Sequence, residues 1–319
     1  MRSLILGAGG FVGRYLAQEL QTAGYDVTAT KLSHEQLCLP GCEIVDLDIT
    51  HAEETRGFFE THRPDVIFHL AAQSSVARAW AKPEQTVEIN IAGCLHVLDA
   101  IRAIPAYQPR ILLIGSGEEY GSVPAGCTSL SEDQVCHPGN PYAVTKLCQN
   151  QFGTIYAKAY DMDILLIRAF NHMGPGQSPQ FVVADFSKQA AAIALGQAEP
   201  VLYTGNLSVA RDFTDVRDVV RAYRLLAEHG KAGETYNVGS GRAVPLQRIL
   251  DMILAQTGMD VDVRTDPKKF RPAEVPVLAA DITKLCACTA WQPEIALSVT
   301  IADTYAYWLD ALKREGGES

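Results

Sequence analysis

No apolar run in the 319 residues approaches the ~20 that a membrane-spanning helix needs, so a membrane partner is not expected. Basic residues are in deficit: 27 Lys and Arg stand against 37 Asp and Glu, a formal net charge of −10. That balance argues against nucleic acid, though a few local arginines can still hold a small anionic ligand. The eight cysteines (38, 42, 94, 127, 136, 148, 286 and 288) show no repeated CxxC pairs. Cys38 lies close to Cys42 and Cys286 close to Cys288, but neither pair has a matching His or Cys pair nearby. No metal is therefore expected, and the thiols read as reduced, in a cytoplasmic protein. Internal repeats and low-complexity stretches are missing as well. The opening Met1–Gly13 carries one Arg and a short apolar stretch that runs at once into glycines, so it reads as a first strand rather than a signal peptide.

What is present is an ordinary globular composition, 47% hydrophobic and 20% charged, long enough for a large α/β domain with a smaller companion. Up to residue 170, short apolar runs alternate with helix-period segments, the pattern of a parallel sheet covered on both faces. The runs predict strands at Ser3–Leu6, Asp26–Thr30, Cys42–Asp46, Val66–Leu70, Arg110–Gly115 and Asp163–Arg168. Helices are predicted over Gly10–Ala23, Ile91–Ile104 and Pro141–Tyr160. Gly174–Gln180 reads as a loop, followed by helices at Val183–Leu195, Val216–His229 and Pro245–Thr257 and strands at Val201–Thr204 and Thr235–Val238. The expected fold is α/β: a doubly wound parallel sheet of Rossmann type with a smaller mixed α/β substrate-binding domain. The first domain is expected over 1–170 and the second over 171–319, with about 208–241 returning to the first.

Gly7-Ala-Gly-Gly10-Phe-Val-Gly13 sits between the first strand and first helix, where a phosphate-binding turn has to lie. Gly7 permits the tight turn, Gly10 lets backbone N–H groups approach a pyrophosphate, and Gly13 lets helix and strand pack closely. The helix N-terminus adds partial positive charge. The second strand ends Thr28-Ala-Thr30-Lys31 with no acid to receive a ribose 2′-hydroxyl, so Lys31 is either a partner for a 2′-phosphate or a solvated turn residue. NADP(H) is favoured on this basis, with NAD(H) the alternative. Asp48 and Ile49, after the third strand, are placed to meet the adenine edge.

Tyr142 and Lys146 are four residues apart on one helix face, and Ser116 ends a buried strand. A phenol with a pKa near ~10 exchanges protons poorly at neutral pH, and a neighbouring ammonium would lower it. Together the three residues suit acid/base work at a carbonyl or alcohol.

These residues, with His69-Leu-Ala-Ala-Gln73, Asn90, Gly115-Ser-Gly-Glu-Glu-Tyr-Gly121 and Tyr142-Ala-Val-Thr-Lys146, resemble the extended short-chain dehydrogenase/reductase family, which acts on nucleotide sugars. Arg168-Ala-Phe-Asn-His-Met-Gly-Pro-Gly-Gln177, Phe181–Phe186, Arg211-Asp-Phe-Thr-Asp-Val-Arg-Asp218 and Arg271-Pro-Ala-Glu274 resemble its GDP-mannose branch, nearest the reductases of GDP-4-dehydro-6-deoxy-D-mannose. The resemblance spans nearly the whole chain. It implies dinucleotide contacts from Gly7, Gly10, Phe11, Val12, Gly13, Leu70, Ala71, Ala72, Gln73, Asn90, Tyr142 and Lys146. It implies sugar-nucleotide contacts from Ser116, Glu118, Asn171, Phe181, Val182, Lys188, Arg211, Arg271 and Glu274. Arg211 and Arg271 would clamp the diphosphate; the alternative for Arg211 is an ion pair with Asp212 or Asp215. Phe181 and Val182 could equally belong to the core, and His172 is given no catalytic role.

The activity implied is reduction of the 4-keto group to GDP-D-rhamnose, with Tyr142 as general acid, Ser116 polarising the carbonyl and Lys146 orienting the cofactor ribose. Glu118 keeps a 4,6-dehydratase reading open, because the dehydratases of this branch place a Glu two residues after the active-site Ser or Thr. A related nucleotide-sugar 4-reductase or epimerase, and a non-catalytic nucleotide-binding protein, are the further alternatives. The resemblance also implies a homodimer paired through Ile91–Ile104 and Tyr142–Tyr160, with Ala143, Leu147 and Phe152 as its stripe unless they face the sheet.

Overall fold

The computed structural model describes residues 1–123, 129–269 and 277–317. In chain order its first half runs β1 (Arg2–Leu6), α1 (Phe11–Thr22), β2 (Asp26–Lys31), β3 (Glu43–Asp46), α2 (Ala52–His62), β4 (Val66–His69), α3 (Val76–Ala81) and α4 (Pro83–Val87). One π-helical turn, Glu88–Ala92, leads into α5 (Gly93–Arg102), then β5 (Arg110–Ile114), a 3-10 turn at Gly117–Tyr120, α6 (Pro141–Tyr160) and β6 (Ile164–Ala169). The second half runs β7 (Asn171–Met173), α7 (Val182–Ala194), β8 (Val201–Thr204), β9 (Ala210–Asp215), α8 (Val216–His229), β10 (Thr235–Val238) and β11 (Ala243–Pro245). It closes with α9 (Leu246–Thr257), β12 (Asp262–Thr265), β13 (Val277–Leu278), α10 (Thr283–Thr289) and α11 (Leu297–Gly317).

Seven strands form one sheet in the order β10-β6-β5-β4-β1-β2-β3, every pairing parallel. Side chains alternate between its faces, as a period of two demands. Ile5, Val27, Phe68, Leu112 and Leu165 point to α1 and α8, where Leu16, Leu20, Val219 and Tyr223 meet them. Leu4, Leu6, Ile67, Ile111 and Leu113 point the other way, to Phe58 and Phe59 of α2 and Val97, Leu98 and Ile101 of α5. Both faces are covered, which is why these strands read as continuous apolar runs. A third core lies among α7, α9 and α11, with Phe186, Ile249, Ile253 and Trp308. β10 is the sheet's far strand, paired with β6.

The predicted strands and helices are found within a residue or two, but α3, α4, β7, β11, β12, β13, α10 and α11 were not predicted, and three further differences bear on the reading. α2 was not predicted: its AEETRGFFETH sequence buries only Thr55, Phe58 and Phe59, too few to mark a face. β9 was not predicted either. The helix expected from Ile91 begins instead as a π turn continuous with α4.

Candidate active site

Parallel strands deliver their C-terminal ends to one edge, the place where an open α/β sheet binds ligands. β1 ends there in the glycine turn and β5 in Gly115-Ser116. Gly7 adopts φ +78°, and its amide donates to Thr30 Oγ1 at the end of β2 (3.1 Å). A Cβ on Gly7 would stand 2.6 Å from Ala71 Cα, and one on Gly13 would collide with the Ala8 backbone. A Cβ on Gly10 would meet nothing nearer than the Gly7 oxygen at 3.6 Å. Two glycines thus permit close packing, while the third, exposed, leaves the turn open at the N-terminus of α1. That is the cradle a dinucleotide pyrophosphate requires. Phe11 stacks on His172 (centroids 6.2 Å apart, planes 5° from parallel). Arg14 Nη2 and Tyr15 Oη both donate to the Pro175 oxygen at 2.7 Å. The loop after β7 is therefore fastened to α1 beside the turn.

Ser116 ends β5 and Tyr142 opens α6. Asn140 caps that helix, accepting from the Ala143 amide (2.9 Å), with Pro141 at its first position. Tyr142, Lys146 and Ser116 are 9%, 3% and 8% exposed, so all three are withdrawn from bulk water. Burial drives the Tyr142 phenol well above its ordinary pKa; a hydrogen bond from Ser116 pulls against this, and the carboxylates of Glu118 and Glu119 add to it. The ammonium of Lys146 is bound by the Ile114 oxygen (2.7 Å) and Gln149 Oε1 (3.1 Å). Of the charged groups, the carboxylates of Glu118 and Glu119 raise the Tyr142 phenol further. Burial also lowers Lys146 itself to about 8, against smaller effects of Cys94 and Glu119. Glu118 is held at the site by Asn140 Nδ2, which donates to its Oε2 (3.0 Å).

The other predicted residues divide. Lys31 Nζ lies 2.5 Å from Asp46 Oδ1 and 3.3 Å from the Leu32 oxygen, so its charge already has a partner. Asp48 accepts from the Thr50 amide and hydroxyl (3.0 and 2.7 Å), and buried Ile49 packs on Gly93 of α5. Leu70, Ala71 and Ala72 are half-buried on the loop after β4. Asn90 is corrected: it is fully enclosed, with its amide bonded to both backbone groups of Gln73 (2.8 and 3.1 Å) and to Thr145 Oγ1 (2.9 Å). It clamps the β4 loop to α6 and touches no open space. Buried Gln73 likewise bonds Ser75 and Thr86.

Among the sugar-nucleotide candidates, Asn171 is exposed at the start of β7 and Phe181 half-buried at the head of α7. Val182 packs on the third core. Lys188 Nζ lies 5.0 Å above the Trp308 ring, facing a groove of about 500 Å³ shared with Asp185, Tyr203 and Arg264. Arg211, 9% exposed, donates to the Ala210 oxygen (2.9 Å). Asp212 is enclosed by Ser240, Gly241 and Ala280, and Asp215 is bonded by Arg217 and Thr300. Arg271 and Glu274, like Cys127, lie outside the described residues. Among the described residues no group of three His, Cys, Asp or Glu could hold a metal, and no helix is long and apolar enough to cross a membrane.

Sequence reading missed Glu119. It is completely buried, accepts from the Ser116 amide (2.8 Å) and Asn150 Nδ2 (2.8 Å), and pairs with Arg168 (3.3 Å). One carboxylate thus ties the end of β5, helix α6 and strand β6 together behind Ser116. The signal was available: Ser-x-x-Glu over 116–119 is a capping box, which the structure forms.

A family model described as GDP-mannose 4,6 dehydratase matches residues 4–304. A GDP-6-deoxy-D-mannose reductase from Pseudomonas aeruginosa is 31% identical over 314 residues, covering 98% of this chain and 99% of the relative. The solved structure of RMD from Pseudomonas aeruginosa, complexed with NADPH, superposes with a TM-score of 0.87 at 30% identity, over 97% of this chain and 99% of the other. The Thermus thermophilus UDP-glucose 4-epimerase, complexed with NAD, gives 0.85 at 26% identity over 97% and 99%.

Proposed function

The chain belongs to the GDP-mannose 4,6 dehydratase family, and from that premise we propose that it reduces the 4-keto group of GDP-4-dehydro-6-deoxy-D-mannose to GDP-D-rhamnose. The coenzyme is a nicotinamide dinucleotide, NADP(H) in preference to NAD(H), in keeping with the NADPH of the solved reductase. The observation that carries the reading is the burial of the Ser116 and Tyr142 hydroxyls side by side at the carboxyl edge of the sheet, with Ser116 acting on the phenol. Two hydroxyls so placed can both turn to one carbonyl oxygen. Ser116 donates to it and polarises the C=O bond, and Tyr142 transfers its proton as negative charge develops there. A phenol raised by burial remains protonated throughout the neutral range, the state a general acid must start from. The glycine turn, Asp48, Ile49, Leu70–Ala72 and Lys146 would hold the dinucleotide, which when bound supplies the hydride for C4. Asn171, Phe181, Val182 and Arg211 would hold the sugar nucleotide, joined by Arg271 and Glu274. A homodimer paired through α5 and α6 is part of the same reading.

Glu118 favours a second reading, GDP-mannose 4,6-dehydratase. Its carboxylate is fixed by Asn140 and acts on Tyr142, as a base in the sugar's path would. Position 117 is Gly, so an acid directly after Ser116 is missing. Two substrates separate the readings. The reductase oxidises NADPH only when given the 4-keto sugar, whereas a dehydratase converts GDP-mannose without net NADPH use. Tyr142→Phe should lower turnover of the 4-keto sugar by roughly a hundred- to ten-thousandfold, with dinucleotide binding kept. Near-normal turnover in that variant would remove Tyr142 from the mechanism.

A further inference from the structure

A serine alone can cap a short turn, and enclosing a carboxylate costs free energy unless its oxygens are bound. Glu119 is enclosed nonetheless, at 0% exposure, in the 3-10 turn that follows Ser116. Its Oε1 accepts from the Ser116 amide and from Asn150 Nδ2, both at 2.8 Å. Its Oε2 accepts from the same Asn150 nitrogen (3.0 Å) and from Arg168 Nε (3.3 Å). Asn150 on α6 and Arg168 on β6 therefore immobilise the carboxylate, and the one backbone group it holds is that of Ser116. The strand end is shaped around this contact: a Cβ on Gly115 would run into Glu119 Oε1 and Asn150 Nδ2. The turn acts on the Ser116 hydroxyl as well. The Glu118 amide donates to Ser116 Oγ (3.1 Å), which leaves the hydroxyl proton to be donated outward. That orientation lasts while the turn stays closed, and the bond from the Ser116 amide to Glu119 closes it.

We propose that Glu119 is a positioning residue for the carbonyl chemistry: held by Asn150 and Arg168, it acts through Ser116, fixing the seryl hydroxyl with its proton free for the substrate oxygen. The inference rests on the reading of Ser116 and Tyr142 as the pair that meets the carbonyl, and adds the group that aims one of them. The role demands reach rather than charge. Gln in place of Glu119 keeps an oxygen for the Ser116 amide and Asn150, although the charge facing Arg168 is lost. Asp keeps the charge, but its shorter side chain draws the carboxylate back from the Ser116 amide.

Steady-state reduction of the 4-keto sugar, beside calorimetric NADPH binding, tests this in Glu119→Asp, Glu119→Gln, Ser116→Ala and the double variant Ser116→Ala with Glu119→Asp. Glu119→Asp should lose roughly ten- to hundredfold, the size expected when a catalytic group is misplaced by about an ångström. The loss should fall in kcat rather than KM, with NADPH affinity kept. Glu119→Gln should stay within about fivefold of the wild-type kcat, since the acceptor remains in reach. In the Ser116→Ala background, Glu119→Asp should cost no more than about twofold further, because the group it aims is gone. A carboxylate that only stabilises the fold gives a different pattern: Gln loses as much as Asp, or the Asp loss repeats in full without Ser116. Either result, or Glu119→Asp turning over within about threefold of wild type, overturns the role of Glu119 and leaves the Ser116 and Tyr142 reading intact. Normal turnover in Ser116→Ala overturns that reading instead, and this inference with it.

Discussion

At the scale of single residues, the site holds an acid and a base whose burial pulls them in opposite directions. Burial raises Tyr142 and lowers Lys146, because an enclosed site disfavours the charged form of each. Beside Lys146, His69 is fully buried and held neutral at about 3 by burial and then by the ammonium, so no second cation competes there. Ligand-free Lys146 therefore loses its proton near pH 8 while Tyr142 keeps its own. The expected kcat/KM for the 4-keto sugar declines as pH rises through about 8. A pH-rate profile flat from 7 to 10 would detach the charge on Lys146 from catalysis. Stability carries the opposite sign. The folded value of about 8 lies below the ordinary 10.5, so between these two the unfolded chain binds more protons and stability rises with pH. Below pH 8 the buried charge is a burden of about 3 kcal/mol, offset in part by the bonds to Ile114 and Gln149. Lys146→Met should consequently melt higher than wild type at pH 7 while losing activity. The Ser, Tyr and Lys positions were legible in the sequence because helix period and strand end fix them. The partner of the Lys146 ammonium was not: the Ile114 oxygen is a backbone atom 32 residues away that no side-chain pattern announces.

At the scale of elements, the β9–α8 junction shows why one motif was only half legible. Arg211–Asp218 reads as a ligand-binding run, yet three of its acids are ties. Asp212, Asp215 and Asp218 are 0%, 3% and 2% exposed. Asp212 accepts from the amides of Ser240, Gly241 and Ala280. Asp215 caps α8 through the Arg217 amide and receives Thr300 of α11. Asp218 receives the Glu294 and Ile295 amides. Each carboxylate thus fastens a different distant segment, and a three-residue spacing cannot reveal which loops return to it. The long apolar strands were read correctly because burial on both faces needs no partner to be known. β9 was missed because its strand hides charged residues that only those ties make tolerable. Asp218→Ala should strip two partly buried amides and Arg221 of an acceptor and lower stability by about 1–3 kcal/mol. Dinucleotide affinity should stay unchanged below the melting transition. Thermal melts beside NADPH titrations check both halves, and a wild-type melting curve would show that the tie is dispensable.

For the whole molecule, the question is what covers α6. Its inward face carries Tyr142, Ala143, Lys146, Gln149 and Asn150, so Ala143 is not part of an outward stripe as the resemblance allowed. Leu147 and Phe152 are half-buried. The apolar groups that do reach solvent are Val144 and Ile155, 49% and 53% exposed, with Tyr160 at the helix end. Val144, Cys148, Gln151 and Ile155 recur at i, i+4, i+7 and i+11, one stripe along the outer face. Trp80 and Val87 are also exposed, on α3 and α4, which both pack against α6. A helix apolar on two sides is stable in water when each side has a partner, and a second copy of the same stripe is self-complementary about a two-fold axis. Light scattering should then give twice the chain mass at micromolar concentration. The double substitution Val144→Lys with Ile155→Lys should give the single-chain mass with NADPH affinity retained, since neither side chain faces the cleft. Because the same helix holds Tyr142 and Lys146 on its other face, pairing would stiffen the catalytic face from behind. The monomeric variant should accordingly lose several-fold in kcat while KM changes little. A wild-type protein that stays at one chain mass up to tens of micromolar would leave the stripe without a partner and remove the dimer from the proposal.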